Sequence, residues 1–156
     1  ATNMYVVQTS HLPSNMSQDA FRVILADHHY WGGLKASRHL AHLCEIWGLG
    51  LSMHSNSHLG ISLAAMIHLA AATPNLTYDC DTHSPWQTDE VIEGGKMTFK
   101  NGALSVPNGP GLGVTLDRGS LARLHQNYLN CGITVRDDTA EMKKHRPKWE
   151  FGRPKF

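Results

Sequence analysis

Three apolar runs along this chain each stop at a cluster of polar, histidine-bearing residues, and that rhythm predicts its elements. Residues 21–26 (FRVILA) run into Asp27 and His28. Residues 49–53 (LGLSM) run into His54, Ser55, Asn56 and His58, and residues 76–80 (LTYDC) into Asp81, Thr82 and His83. Runs this short, bounded by turn residues, read as buried strands. Between the first two, Leu40, Leu43, Cys44 and Trp47 fall at i, i+3, i+4 and i+7, which predicts a helix over 34–47 that Gly48 stops. Between the second and third, residues 61–72 are apolar on nearly every side, the pattern of a helix buried all round. Strand, helix, strand, helix, strand is the order of parallel βα units in an α/β fold.

The flanks are less regular. Residues 5–7 predict the end of a strand, and 12–20, with Pro13, Ser14 and Asn15, a loop and a short helix. After Trp86, short alternating runs around Gly94-Gly95 and Asn101-Gly102 predict hairpin-like pieces over 91–106, then a Gly/Pro loop over 107–113. A last helix is expected over 118–130, with Leu121, Leu124, His125 and Tyr128 on one face, before a basic tail over 143–156. The chain thus divides at residue 90 into a βα portion, 1–90, and an extension, 91–156.

Parallel strands bring their carboxyl ends to one rim, where chemistry gathers in α/β proteins. Asp27 and His54 close successive strands, so they can meet there. A carboxylate accepting from one imidazole nitrogen fixes the tautomer and leaves the other nitrogen as a base. On spacing alone, a structural role for His54 stands equally open.

Composition adds mainly exclusions. A net charge of +1 over 156 residues gives no signal for nucleic acid or a membrane surface. No apolar run approaches the ~20 residues that span a bilayer, no secretory leader opens the chain, and Cys44, Cys80 and Cys131 form no disulfide pattern, so a cytoplasmic location is expected. The 11 histidines invite a metal reading. Yet His54 and His58 lack the glutamate of a zinc-protease motif, and His39, His42 and His68 fall within helices as surface or packing residues. Gly109, Gly111 and Gly113 lack the strand-to-helix setting of a dinucleotide site.

Six motifs occur in order: ATNM at 1–4, LADHHYW at 25–31, HSNSHLGISLA at 54–64, CDTH at 80–83, PGLGV at 110–114 and VRDD at 135–138. Together they resemble the C-terminal part of the glucarate dehydratase family, in the mandelate racemase-like branch of the enolase superfamily. The resemblance implies part of a modified (β/α)₈ barrel, about strands five to eight, with LSMHSNSH as the seventh. A C-terminal segment would pack on the family's capping domain. It implies a magnesium-dependent acid-sugar dehydratase that removes the proton next to a carboxylate and then loses the β-hydroxyl, giving a keto-deoxy sugar diacid. By motif, His54 falls on the general base and Asp27 on its dyad partner, while Asn3 falls on a magnesium ligand that also lies at the substrate. Ser55 and Asn56 fall in the substrate-binding segment, and His83 and Arg136 on contacts to the hydroxyls and distal carboxylate of a diacid such as D-glucarate. An enediolate needs a cation beside it, and arginine's fork suits a second carboxylate.

The departures matter as well. A full barrel takes roughly 250 residues, and the family's capping domain, first four strands, lysine pair and two acidic metal ligands have no counterpart in this sequence. His28, Met53 and Gly60 differ from the family's usual residues. The expected state is therefore a homo-oligomer of a longer enzyme, or a pairing with a second chain that supplies the other half. The alternatives are a partner-binding half-barrel without catalysis, or a different diacid dehydratase or racemase of the superfamily.

Overall fold

The computed structural model describes residues 1–55, 58–135 and 137–150. The chain forms two compact units, Ala1–Ser120 and Leu121–Phe156, so segment 91–120 belongs with the strands.

In the first unit, β1 (Val23–Ala26) and β2 (Gly50–Met53) pair in parallel, with Ile24 opposite Leu51 and Ala26 opposite Met53. Two further segments run alongside. Thr2 bridges Ile24 on the outer side of β1, with Leu25 N donating to Thr2 O at 2.8 Å. Beyond β2, Thr77 N and Tyr78 N both donate to Leu51 O, and Asp81 N donates to Met53 O at 3.0 Å. Two parallel strands, flanked by a parallel bridge on one side and a hydrogen-bonded segment on the other, thus lie in sequence order, as in a stretch of barrel wall.

Two expected strands take another form. Residues 5–7 turn away after the single bridge at Thr2, although Val6 is buried in the core. Residues 76–80 follow β2 without regular pairing, because the Thr77 hydroxyl replaces a backbone partner. Leu51 N donates to Thr77 Oγ1 at 2.8 Å, where a strand would offer a carbonyl.

Before β1 lies α1 (Leu12–Ser17), with Pro13 in its first turn and Leu12 fully buried. The α3 helix (Leu34–Trp47) ends at Gly48, whose φ of 64° is the left-handed conformation that glycine adopts freely. Its buried stripe is Ser37, Leu40, Ala41 and Cys44, so the expected face is turned and Trp47 is exposed. The α4 helix (Gly60–Ala71) buries Leu63, Ala64, Ala65, Met66 and Leu69 but leaves Ile61 at the surface. Val6, Leu12, Ile24, Leu40, Cys44 and Leu51 form the main core. Each such side chain contributes about 1.5–3 kcal/mol on burial.

The start of α4 explains Gly60. A Cβ there would lie 2.5 Å from Ile92 Cδ1. Glu90 fills the adjoining space, its Oε1 accepting from Gly60 N at 2.8 Å and from Val91 N at 2.7 Å. The negative charge that suits a helix N-terminus therefore comes from 30 residues downstream.

The hairpin-like expectation over 91–106 reduces to tight turns. Lys100 and Ala103 exchange backbone bonds of 2.9 and 3.0 Å around Asn101-Gly102, both at positive φ. The helix expected over 118–130 is α5 (Arg118–Cys131), none of whose residues is buried. In the second unit the basic tail begins inside a further helix, α6 (Asp138–His145). Asp137 caps it, accepting from Ala140 N at 2.9 Å. Acidic Asp138 and Glu141 open it and Lys143, Lys144 and His145 close it, matching the helix dipole. Among the described residues, no helix is long and apolar enough to cross a membrane.

The cysteines differ sharply. Burial pushes the Cys44 thiol up to about 11, and burial also raises Cys80, while Cys131 is exposed. A maleimide at pH 7.5 is expected to label Cys131 within minutes and Cys44 only after denaturation, read by intact mass. Fast labelling of Cys44 in the native protein would contradict the core described here.

Candidate functional site at the strand ends

The carboxyl ends of β1, β2 and segment 76–81 carry Asp27, His54 and Asp81. His54 N donates to Ala26 O at 2.9 Å, which holds the residue at the rim directly beside the end of β1. Its ring Nδ1 lies 2.6 Å from Asp81 Oδ1. An ionised carboxylate only accepts, so Nδ1 carries the hydrogen and Nε2 keeps its lone pair. The His54 side chain is 14% exposed and that of Asp81 59%, so the imidazole is sheltered while its partner faces solvent. Ser55, just behind, is fully buried.

Asp27, expected as the dyad partner of His54, here caps α2 (His28–Trp31). Its Oδ1 accepts from His29 N at 2.9 Å and pairs with His29 Nδ1 at 2.6 Å. A short helix starting at once after β1 draws the carboxylate to its own N-terminus, and α2 was not legible in the sequence. Asp81 takes the place beside His54 because the bond from Asp81 N to Met53 O sets it level with the end of β2.

His83 joins the site, its ring edge-on to His54 at 5.8 Å and 5.2 Å from Trp86. Asn3 is half-buried one residue past the Thr2–Ile24 bridge, on the flank of β1 away from β2. The expectations for Asn56 and Arg136 lie outside the described residues.

A second group sits next to the first. His28 Nε2, His29 Nε2 and His58 Nδ1 lie 3.1, 2.6 and 3.4 Å from Ser62 Oγ. His58 Nε2 makes a short hydrogen bond to Thr82 Oγ1. Burial, reinforced by the His29 and His28 rings, pushes His58 down to about 4. Burial, with His29 beside it, lowers His28 too, so both are kept from protonating near neutral pH. None of these roles was assigned from sequence, although a histidine beside a carboxylate or amide at every strand end was the available signal.

A mostly apolar cleft of about 650 Å³ opens along α4, lined by Leu63, Met66, Cys80, Thr82, Phe99 and Leu104. It includes neither His54 nor Asp81, so it is not where this chemistry sits.

Parallel strands in sequence order, with an acid–imidazole pair at their carboxyl ends, mark a piece of an α/β barrel wall. The chain belongs to the enolase C-terminal domain-like family, whose model matches residues 1–120. It is 47% identical over 151 residues to a protein of Streptomyces coelicolor described as "Probable glucarate dehydratase", covering 96% of this chain and 35% of that protein. A chloromuconate cycloisomerase of Pseudomonas putida is 27% identical over 99 residues, 64% of this chain and 26% of that one. Among solved structures, an enolase from Gibberella zeae complexed with magnesium, formate and sulfate is 58% identical with a TM-score of 0.86, over 93% of this chain and 34% of that one. An enolase from Mycobacterium smegmatis complexed with tartrate is 57% identical with a TM-score of 0.88, over 95% of this chain and 36% of that one. The chain thus spans about a third of the length of these enzymes.

Magnesium was expected at Asn3. Magnesium takes about six oxygen ligands, usually including one or two carboxylates. Asn3 offers one amide oxygen, and the described group with metal-ligand spacing, Asp27, His28 and His29, offers two nitrogens for each carboxylate. These residues alone do not fit a magnesium site.

Proposed function

We propose that this chain carries the general-base side of an acid-sugar dehydratase site of the glucarate dehydratase type. His54 takes the proton α to a carboxylate of a sugar diacid such as D-glucarate. The C–H electron pair moves into the carboxylate as an enediolate. Collapse of the enediolate expels the β-hydroxyl, which leaves as water with the proton that His54 returns. The enol product then tautomerises to a keto-deoxy diacid.

The observation that carries the reading is the His54–Asp81 pair at the strand ends, which leaves Nε2 as a sheltered base. His83, edge-on to His54, is placed to hydrogen-bond a substrate hydroxyl. Identity of 47% across nearly the whole chain, against 27% across a shorter span, favours a diacid dehydratase over cycloisomerisation. Because the chain's own donors do not make a magnesium site, the acidic ligands and an opposite-face base would come from polypeptide outside these 156 residues, on the same chain or another.

The test is α-proton exchange of D-glucarate in deuterated buffer by NMR, with keto-acid release, in the native protein. Asp81→Asn is expected to lower kcat about 10²-fold with KM changed only a few-fold, since it misorients the base without removing it. Asp27→Asn is expected to cost less. Equal losses in both, or a larger one in Asp27→Asn, would return the orienting role to Asp27. No exchange on any six-carbon diacid would favour the partner-binding half-barrel.

A further inference from the structure

The imidazoles around Ser62 form the strongest arrangement that the base chemistry leaves unused. Three ring nitrogens, from His28, His29 and His58, point at one hydroxyl oxygen from 2.6 to 3.4 Å away. Two of the rings are held from behind. Asp27 Oδ1 accepts from His29 Nδ1, which leaves the lone pair on Nε2, facing the common point. His58 makes its other bond through Nε2 to the Thr82 hydroxyl, which can donate or accept, so the ring can turn the lone pair of Nδ1 toward that point when a cation replaces the Ser62 hydroxyl. A carboxylate behind a ligating imidazole is the usual outer arrangement of protein zinc sites. The group is also sheltered: Asp27 is 2% exposed, His58 4% and His28 9%.

We propose that His28, His29 and His58 form a binding site for a late divalent transition metal, zinc being the reference ion. The site is distinct from any magnesium position. Its donors are neutral imidazole nitrogens, which suit zinc, nickel and copper and not the oxygen-seeking magnesium ion. Ser62 Oγ occupies the centre, and rotation of its side chain opens the space. Zinc–nitrogen bonds are about 2.0–2.1 Å, so the rings close in by about 1 Å, a shift within the range of side-chain torsions. Three protein nitrogens leave a fourth position open, as in catalytic zinc sites. The buried carboxylate of Asp27, which accepts from His29 N and pairs with the half-exposed His29 ring, gains a compensating cation on the far side of that ring.

The experiment is calorimetric titration of the intact protein with zinc chloride, with cobalt as the spectroscopic probe and magnesium as competitor. One equivalent of zinc is expected to bind with micromolar affinity or better, undisturbed by excess magnesium. Bound cobalt is expected to show the visible bands of a low-coordinate site. His29→Ala, at a half-exposed ring that is not part of the core, is expected to weaken binding about 10-fold or more, and His58→Ala likewise. The double variant His39→Asn/His42→Asn, on the outer face of α3, is expected to leave binding unchanged. Binding that survives His29→Ala, or that disappears with the α3 pair, would overturn the proposal, as would no binding at all. Since the readout is metal affinity, it stands or falls independently of the dehydratase reading.

Discussion

His54→Asn is expected to lower α-proton exchange about 10³-fold, the upper-middle of what a positioned acid–base group contributes. The side chain lies at the rim with a solvent-facing partner and makes no part of the hydrophobic core. Its backbone bond to Ala26 O does not depend on the ring. The variant should therefore keep its fold, with an unchanged far-ultraviolet spectrum and melting temperature, while exchange and keto-acid release disappear together. Loss of dehydration with exchange intact would make His54 the acid for the leaving hydroxyl alone. Near-normal rates in both would remove it from the chemistry.

Leu51→Ala carries the largest expected cost in stability, about 3 kcal/mol. Leu51 is 1% exposed, at the centre of β2, and packs in the main core with Ile24, Leu40 and Cys44. Its backbone is fixed from both sides, by pairing with Ile24 and by Thr77. The wall cannot collapse easily into the space left by the missing atoms, so the cavity penalty adds to the lost burial. A fall in melting temperature of about 10 °C is expected for a unit of this size. Ile46→Ala, at a 70% exposed position on α3, is the control and should shift stability by less than about 0.5 kcal/mol.

How far the sequence could be read follows from what each signal measures. Apolar periodicity reports burial, so β1, β2, α3 and α4 were legible to within a residue or two, and parallel order followed from their alternation. The third run, 76–80, was apolar enough to be called a strand, but periodicity does not see a threonine hydroxyl taking a backbone donor. The α2 helix escaped because four residues are too few to show a period. His54 could be singled out as a candidate from its position at a strand end and from the resemblance. The pairing of Asp81 with His54 was not legible, since it depends on the register of an irregular segment. The imidazole group around Ser62 was out of reach for a similar reason, because it draws on three separate stretches of chain.

The irregular pairing of segment 76–81 has a consequence for the rim. Above Leu51 it is tied partly by the Thr77 side chain, and at its end by the bond from Asp81 N to Met53 O. That last bond acts as an address: it decides which residue stands opposite the end of β2. A slip of one position would bring Cys80 or Thr82 to that place and turn the carboxylate away from His54. Substitutions around Thr77 and Asp79 are therefore expected to change which side chain faces His54 while leaving the core around Leu51 in place.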